Sequence, residues 1–242
     1  MVDQRKTAIV TGASQGIGAG IVKAFVERGY NVVANSRKVT QSTEIARSDR
    51  IVLVDGHIGE PATAAKVVEE ALSHFKSIDV LVNNAGIFFT KPFTNYTAED
   101  FRSLVSTNLE GFLYLTQLVI KQMLAQKNGG CIVTITAALA RNPIRGVTAA
   151  VPMITKGGLE TITQHLAMEY ANEGIRVNAV APGVVDTPLV RGAPKDALAN
   201  LSPMGRISTV KDIASAVMYL TDAPTVTGQI LYVDGGAHFG RW

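Results

Sequence analysis

Apolar positions along this chain follow two rhythms. Short runs rich in β-branched residues, such as Thr7-Ala8-Ile9-Val10, alternate with longer stretches in which apolar residues return at helical spacing. The pattern predicts strands near 6–11, 31–35, 50–54, 78–82, 130–136, 175–181 and 229–233. Helices are predicted over 17–28, 61–75, 99–126, 149–172 and 210–221, with a shorter piece around 195–200. The stretch from Arg37 to Asp49 is poor in apolar residues, so any helix there is short. Strands separated by helices of this length imply βαβ crossovers and a parallel sheet covered on both faces. One doubly wound α/β domain accounts for residues 1–242, with no linker, repeat or low-complexity block. Thr187 to Ser208 holds Pro188, Pro194 and Pro203 between two regular elements. A loop of that length in a compact domain is expected to act as a substrate lid.

Composition narrows the class. The 242 residues suffice to bury a sizeable core, and 47% hydrophobic against 18% charged residues places the chain well clear of disorder. A net charge of +3, with Lys and Arg scattered, predicts no nucleic-acid partner. The single Cys131 excludes an internal disulfide and fits a reducing compartment, where it reads as a small buried hydrophobe. Met1 to Lys6 has no apolar core of the kind an export signal needs, and no apolar run reaches membrane-helix length. A cytoplasmic protein without membrane contact is expected, in which the sequon Asn95-Tyr96-Thr97 is accidental. No metal site is expected.

The chemistry begins at Thr11-Gly12-Ala13-Ser14-Gln15-Gly16-Ile17-Gly18, between the first strand and the first helix. Glycines in such a turn let the backbone approach a ligand closely, while the helix N-terminus aims N–H groups at an anion. The spacing is G-x-x-x-G-x-G and not the commoner G-x-G-x-x-G. Further along, Asn83-Asn84-Ala85-Gly86 follows a strand and Asn108-Leu109-Glu110-Gly111 lies in a long helix. Thr155-Lys156-Gly157-Gly158-Leu159, Arg176 to Gly183 and Val233-Asp234-Gly235-Gly236 complete the set.

Six motifs in this order resemble those of the short-chain dehydrogenase/reductase family, and the resemblance runs from about residue 5 to 236. It implies a Rossmann-type sheet of seven parallel strands, with a nicotinamide cofactor along the C-terminal strand edge. The resemblance places Gly12, Ser14, Gln15, Gly16, Ile17 and Gly18 at the pyrophosphate, and Asn84, Ala85 and Gly86 along the adenosine ribose. Pro182, Gly183, Val185 and Thr187 fall at the nicotinamide end, where Lys156 is also expected to bond the ribose. In NAD sites an acidic residue about 20 positions past the glycines bonds the ribose 2′-OH. Here that position is Ser36, followed by Arg37, a pair that tolerates and can bond a 2′-phosphate. NADP(H) is therefore favoured over NAD(H). The family's Asp after the third strand is replaced by His57, followed by Ile58, so His57 either contacts adenine or is a loop histidine.

The family's chemistry uses a Tyr general acid, a Ser on the substrate carbonyl, a Lys and an Asn. Asn108 and Lys156 are in place. The Tyr position, four residues before Lys156, is Pro152, and the Ser position is Ala137. Pro152 is tolerable in a first helical turn, which needs no donor, and Thr148 is placed to cap that helix. Among replacements, alternation turns Thr136 away from the site, while Thr155, Tyr96 and Tyr114 read as structural. Lys156 is the best remaining proton donor, its pKa depressed by the nicotinamide charge, acting directly or through a water held by Asn108.

Two functions are compatible with these residues. One is an NADP(H)-dependent oxidoreductase acting on a small carbonyl or alcohol with an atypical proton donor. The other is a non-catalytic NADP(H)-binding module serving as redox sensor or scaffold subunit. The 187–208 segment and Ile87 to Thr94 suggest a mostly apolar substrate pocket near Arg191. By resemblance, helices 99–126 and 149–172 form faces of a homodimer or homotetramer, and the aromatic end Ala237 to Trp242 is expected to pack against the body or a neighbour.

Overall fold

A computed structural model describes residues 5–239. The β-branched runs become β1 (Thr7–Thr11), β2 (Asn31–Ser36), β3 (Ile51–Asp55), β4 (Val80–Asn83), β5 (Gly130–Ile135), β6 (Ile175–Pro182) and β7 (Ile230–Val233). They form one seven-stranded sheet in the order β3-β2-β1-β4-β5-β6-β7, parallel throughout. The helices are α1 (Gly16–Glu27), α2 (Pro61–Phe75), α3 (Ala98–Leu104), α4 (Gly111–Gln126), α5 (Ala150–Glu169), α6 (Lys195–Ala199) and α7 (Val210–Asp222).

Alternation along the strands divides the core into two layers. Ala8 and Val10 of β1 pack with Val32, Val82 and Val133 against Ile21 and Phe25 of α1 and Ile213 and Val217 of α7. Ile9, between them, joins Val33, Leu81, Ile132 and Val177 against Val67 of α2 and Leu115 and Val119 of α4. The chain runs outward in one direction from β1 and in the other from β4. Their adjacent C-terminal ends open a crevice where such sheets bind ligands. The glycine turn and the Asn83–Gly86 turn both leave the sheet there. No helix among the described residues is long and apolar enough to cross a membrane.

Two expected helices and one expected cap differ from the sequence pattern. The helix expected over 99–126 divides into α3 and α4 around a π-helical stretch, Val105–Glu110. The widened stretch contains buried Asn108, whose side chain bonds outside its own helix, and such bulges often mark functional positions. The helix expected over 149–172 stops at Glu169, and a 3₁₀ turn at Ala171–Glu173 leads to Gly174 at φ 71°. Thr148 does not cap α5. Ala149 holds the N-cap without a side-chain bond, and the Thr148 carbonyl instead accepts from the Lys91 N–H. Between Arg37 and Asp49 only the 3₁₀ turn Val39–Gln41 forms, and buried Ile45 anchors the remainder.

Candidate functional site

The turn after β1 is shaped by what its glycines meet. Gly12 has φ 62°, and a Cβ there would lie 2.8 Å from Ala85 Cα. A Cβ on Gly18 would lie 2.2 Å from the Gly12 carbonyl oxygen. Asn84 holds this turn to β4, its Nδ2 donating to the carbonyls of Thr11 (2.9 Å) and Gly12 (3.1 Å). Thr11 Oγ1 accepts from the N–H groups of Asn84 and Ala85. Backbone therefore passes against backbone with no side chain between, which leaves the turn's outer edge open to a ligand.

Helix α1 begins without a cap from Gln15. The Gly16 N–H donates instead to Glu44 Oε2 at 3.0 Å, and Ser42 Oγ donates to the Ser14 carbonyl at 2.5 Å. A carboxylate thus sits at the helix N-terminus where the sequence reading places a pyrophosphate. Nothing in the local pattern around Glu44 signals this, because the contact depends on how the short 37–49 segment folds back.

One cleft of about 680 Å³ runs from this turn across the sheet edge. Its wall includes Gly12, Gln15, Gly16, Ile17, Gly18, Arg37, Asn84, Gly86, Lys156, Pro182, Gly183, Val185 and Thr187. The structure thereby brings together thirteen of the sequence-predicted positions. Ser14, Ser36, Ala85 and Asn108 lie outside its lining. His57 and Ile58 are also outside it, for a visible reason. His57 Nε2 lies 3.2 Å from Thr107 Oγ1 and its Nδ1 accepts from the Gly59 N–H, while Ile58 is buried against Gly111. His57 fastens the loop before α2 to the π-helical stretch, and Ile58 fastens it to the first residue of α4.

At the other end of the cleft, Lys156 Nζ donates to the Ile135 carbonyl at 2.8 Å. Burial alone pushes its pKa down to about 8, with no need for the neighbouring positive charge the sequence reading invokes. Asn108 is buried beside it. Its Nδ2 donates to Thr155 Oγ1 (2.9 Å) and the Ile87 carbonyl (3.2 Å), while Oδ1 accepts from the Ile87 N–H (2.8 Å). Both amide hydrogens are committed to the protein, so the side chain has no donor left to hold a relay water. Gly86 covers the pair: a Cβ there would lie 3.2 Å from Lys156 Nζ and 3.3 Å from Asn108 Oδ1.

Ala137 leaves β5 in extended conformation and lines the cleft. Pro152 is buried in the first turn of α5, off the cleft wall, and its carbonyl accepts from Thr155 Oγ1 at 2.8 Å. The nearby hydroxyls are occupied elsewhere. Thr136 Oγ1 bonds Glu160 and the Val180 carbonyl, and Thr155 holds Pro152 and Asn108. Tyr96 donates to the Phe89 carbonyl, and Tyr114 packs into the core. Glu160 is fully buried with its pKa raised by desolvation, and Arg141 pairs with it at 2.9 Å.

The rest of the wall is mainly apolar, with Ile87, Phe88, Leu139, Ile144, Leu189 and Leu201 among it. The cation there is Arg206 and not Arg191, which lines an adjoining hollow with Lys23, Glu44 and Asp186. The C-terminal segment also reaches the cleft, through Asp234 and His238. His238 stacks on Tyr232 with ring centroids 4.1 Å apart, whereas Phe239 is largely exposed and Trp242 lies outside the described residues. Sequence reasoning treated Asp234 only as part of a terminal motif. The signal it passed over is the i, i+4 spacing of Asp234 and His238.

A family profile described as "Enoyl-(Acyl carrier protein) reductase" matches residues 12–238. The acetoacetyl-CoA reductase of Acinetobacter sp. (strain RA3849) is 36% identical, covering 98% of this chain and 99% of that protein. The 3-ketoacyl-(acyl-carrier-protein) reductase of Brucella melitensis, solved with NADH, superposes with a TM-score of 0.90 at 32% identity, over 96% of this chain and 98% of that one. ElxO with NADP bound gives a TM-score of 0.88 at 26% identity, over 97% and 99%. A profile match over residues 12–238 and relatives similar over nearly their whole length show that the chain belongs to the short-chain dehydrogenase/reductase family.

Proposed function

We propose that the protein is an NADP(H)-dependent oxidoreductase acting on a small carbonyl or alcohol, with a proton donor other than the family's tyrosine. The observation that carries this reading is Lys156. A buried ammonium whose pKa is driven down to about 8 opposes folding, and it faces the same cleft as the glycine turn. Framework needs do not explain such a group, whereas a site that binds ribose and stabilises a developing alkoxide does.

The cleft fits a dinucleotide, because its wall at the glycine turn is backbone at Gly12, Gly16 and Gly18, where a phosphate can approach the N–H groups closely. Gly16, Ile17 and Gly18 would hold the pyrophosphate, Asn84 and Gly86 the adenosine side, and Pro182, Gly183, Val185 and Thr187 the nicotinamide end. The bound cofactor would supply the hydride. Arg37, exposed at the glycine end, favours NADP(H) over NAD(H), although relatives were solved with either. Lys156 holds positive charge beside the reacting oxygen, and the apolar wall excludes water. The 187–208 segment, which supplies Leu189, Leu198, Leu201 and Ile207, acts as the lid. Exposed Leu113, Ile154 and Met168 on α4 and α5 support a homodimer or homotetramer through those faces.

A second reading, a non-catalytic NADP(H)-binding module, is favoured by one observation: Ala137 and Pro152 carry no hydroxyl, and the neighbouring Thr136 and Thr155 hydroxyls are committed. Oxidation of NADPH across a panel of carbonyls, including acetoacetyl-CoA, separates the two. The enzyme reading expects turnover that Lys156→Ala lowers by about 10²-fold or more. Binding without turnover, together with activity created by Ala137→Ser with Pro152→Tyr, would establish the module instead.

A further inference from the structure

Resting on the oxidoreductase reading, we infer that the Asp234–His238 pair supplies the proton that the family's tyrosine would otherwise give. The pair sits where the chemistry must occur. A Cβ on Gly183, the residue placed at the nicotinamide end, would lie 2.8 Å from Asp234 Cα. On its other side, the Ala237–Phe239 turn packs against Ala138–Ala140, the turn that follows Ala137. His238 and Asp234 line the same cleft as Ala137 and Lys156. The C-terminal segment therefore brings a titratable ring to the wall that Ala137 lines without the family's serine hydroxyl.

The internal geometry of the pair is that of an oriented acid–base group. His238 Nδ1 lies 2.9 Å from Asp234 Oδ2, and the carboxylate also accepts the N–H groups of His238 (2.7 Å) and Gly236 (3.0 Å). The Asp234 side chain is 2% exposed and His238 18%. Stacking on Tyr232 fixes the plane of the ring. With Nδ1 held by the carboxylate, Nε2 is the free edge and has no partner among the described residues. A buried carboxylate on one imidazole nitrogen sets the tautomer and holds the ring in place, which leaves the other nitrogen positioned to give and take a proton.

In reduction, the carbonyl carbon accepts a hydride from reduced nicotinamide while the carbonyl oxygen takes the Nε2 proton. The products are the alcohol, oxidised nicotinamide and neutral His238, which solvent reprotonates. In oxidation the same nitrogen accepts the alcohol proton as the hydride leaves. Lys156 then stabilises the oxygen's charge without having to release its own proton.

Diethyl pyrocarbonate and mass spectrometry test the placement without turnover. His238 should be carbethoxylated in the free protein and protected by saturating NADPH, while exposed His74 reacts equally in both. Kinetics with acetoacetyl-CoA and the other carbonyls test the role. His238→Gln should lower kcat by about 10²-fold with NADPH affinity unchanged, and added imidazole should restore part of the rate of His238→Ala. Failure of NADPH to protect His238, or full turnover by His238→Gln in a protein that Lys156→Ala inactivates, overturns the inference alone. A wild-type protein inert toward every carbonyl overturns the oxidoreductase reading, and this inference falls with it.

Discussion

The two ends of the cleft are built on opposite terms. At the glycine end, the residues that would receive a dinucleotide are also those that hold the sheet edge together. Thr11 and Asn84 tie β1 to β4, and Gly12 and Gly18 permit their backbones to meet. At the far end the motif residues divide. Asn108 is bonded to Ile87 and Thr155, so the fold alone accounts for it. Lys156 is different, since its burial works against the folded state. Ala137 and Pro152, where hydroxyls are absent, carry no side-chain bond that a framework would miss. Retention of a motif residue argues for chemistry only where the framework does not already require it. By that standard Lys156 speaks for function and Asn108 does not.

The largest effect should come from crowding the glycine end. In Gly18→Ala the new Cβ meets the Gly12 carbonyl oxygen at 2.2 Å, a backbone atom that cannot move aside cheaply. A loss of about 3 kcal/mol or more in urea unfolding is expected, with dinucleotide binding lost in calorimetry. Wild-type stability together with NADPH binding would show that the turn is looser than its geometry and that the two ends are not built differently.

The contrast between Asn108 and Lys156 sets the next scale. Asn108→Ala strands the Ile87 N–H and should cost about 2–3 kcal/mol at every pH below 10. Lys156→Met should behave otherwise. The folded-state pKa of Lys156, about 8, lies below its ordinary 10.5, so between those values the unfolded chain binds more proton. Wild-type stability, measured against Lys156→Met, should therefore be lowest below pH 8 and rise toward pH 10.5, by at most about 3 kcal/mol. A difference that stays flat with pH would mean that the ammonium is not buried against the fold, and the argument for its function would weaken.

These contrasts follow what the sequence could and could not reveal. The seven strands, their parallel pairing and the glycine turn were legible because they rest on local rules, namely alternation, turn chemistry and the length of the crossovers. Lys156 and Asn108 were legible by motif. The widened turn at Val105–Glu110 was not, because Asn108 makes it through bonds to Ile87 and Thr155, distant in sequence. Arg191 was assigned to the substrate pocket by its segment, yet Arg206 of the same segment faces the cleft, a choice that only the path of the loop decides. His57 was open between two roles until its ring was found against Thr107. His238 and Glu44 share the same obstacle: each acts on a partner that the fold delivers from another segment.

Glu44 gives the smallest effect, and it bears on the choice of cofactor. Its carboxylate occupies the Gly16 N–H at the helix N-terminus, so an incoming phosphate must displace a group of its own charge. Glu44→Gln keeps an oxygen that can accept the same N–H and removes only the charge. NADPH binding should tighten by about 3–10-fold at low ionic strength, with the gain shrinking as salt screens the repulsion. NADH, lacking the 2′-phosphate, should gain less, and Arg37→Ala should lower NADPH affinity while leaving NADH nearly unchanged. Equal gains for the two cofactors would place Glu44 at the shared pyrophosphate alone, and the proposed preference for NADP(H) would then rest on Arg37. No gain for either would mean that the strap from Ser42 to Glu44 swings clear on binding, and that the glycine end is less fixed than its bonds to β4 suggest.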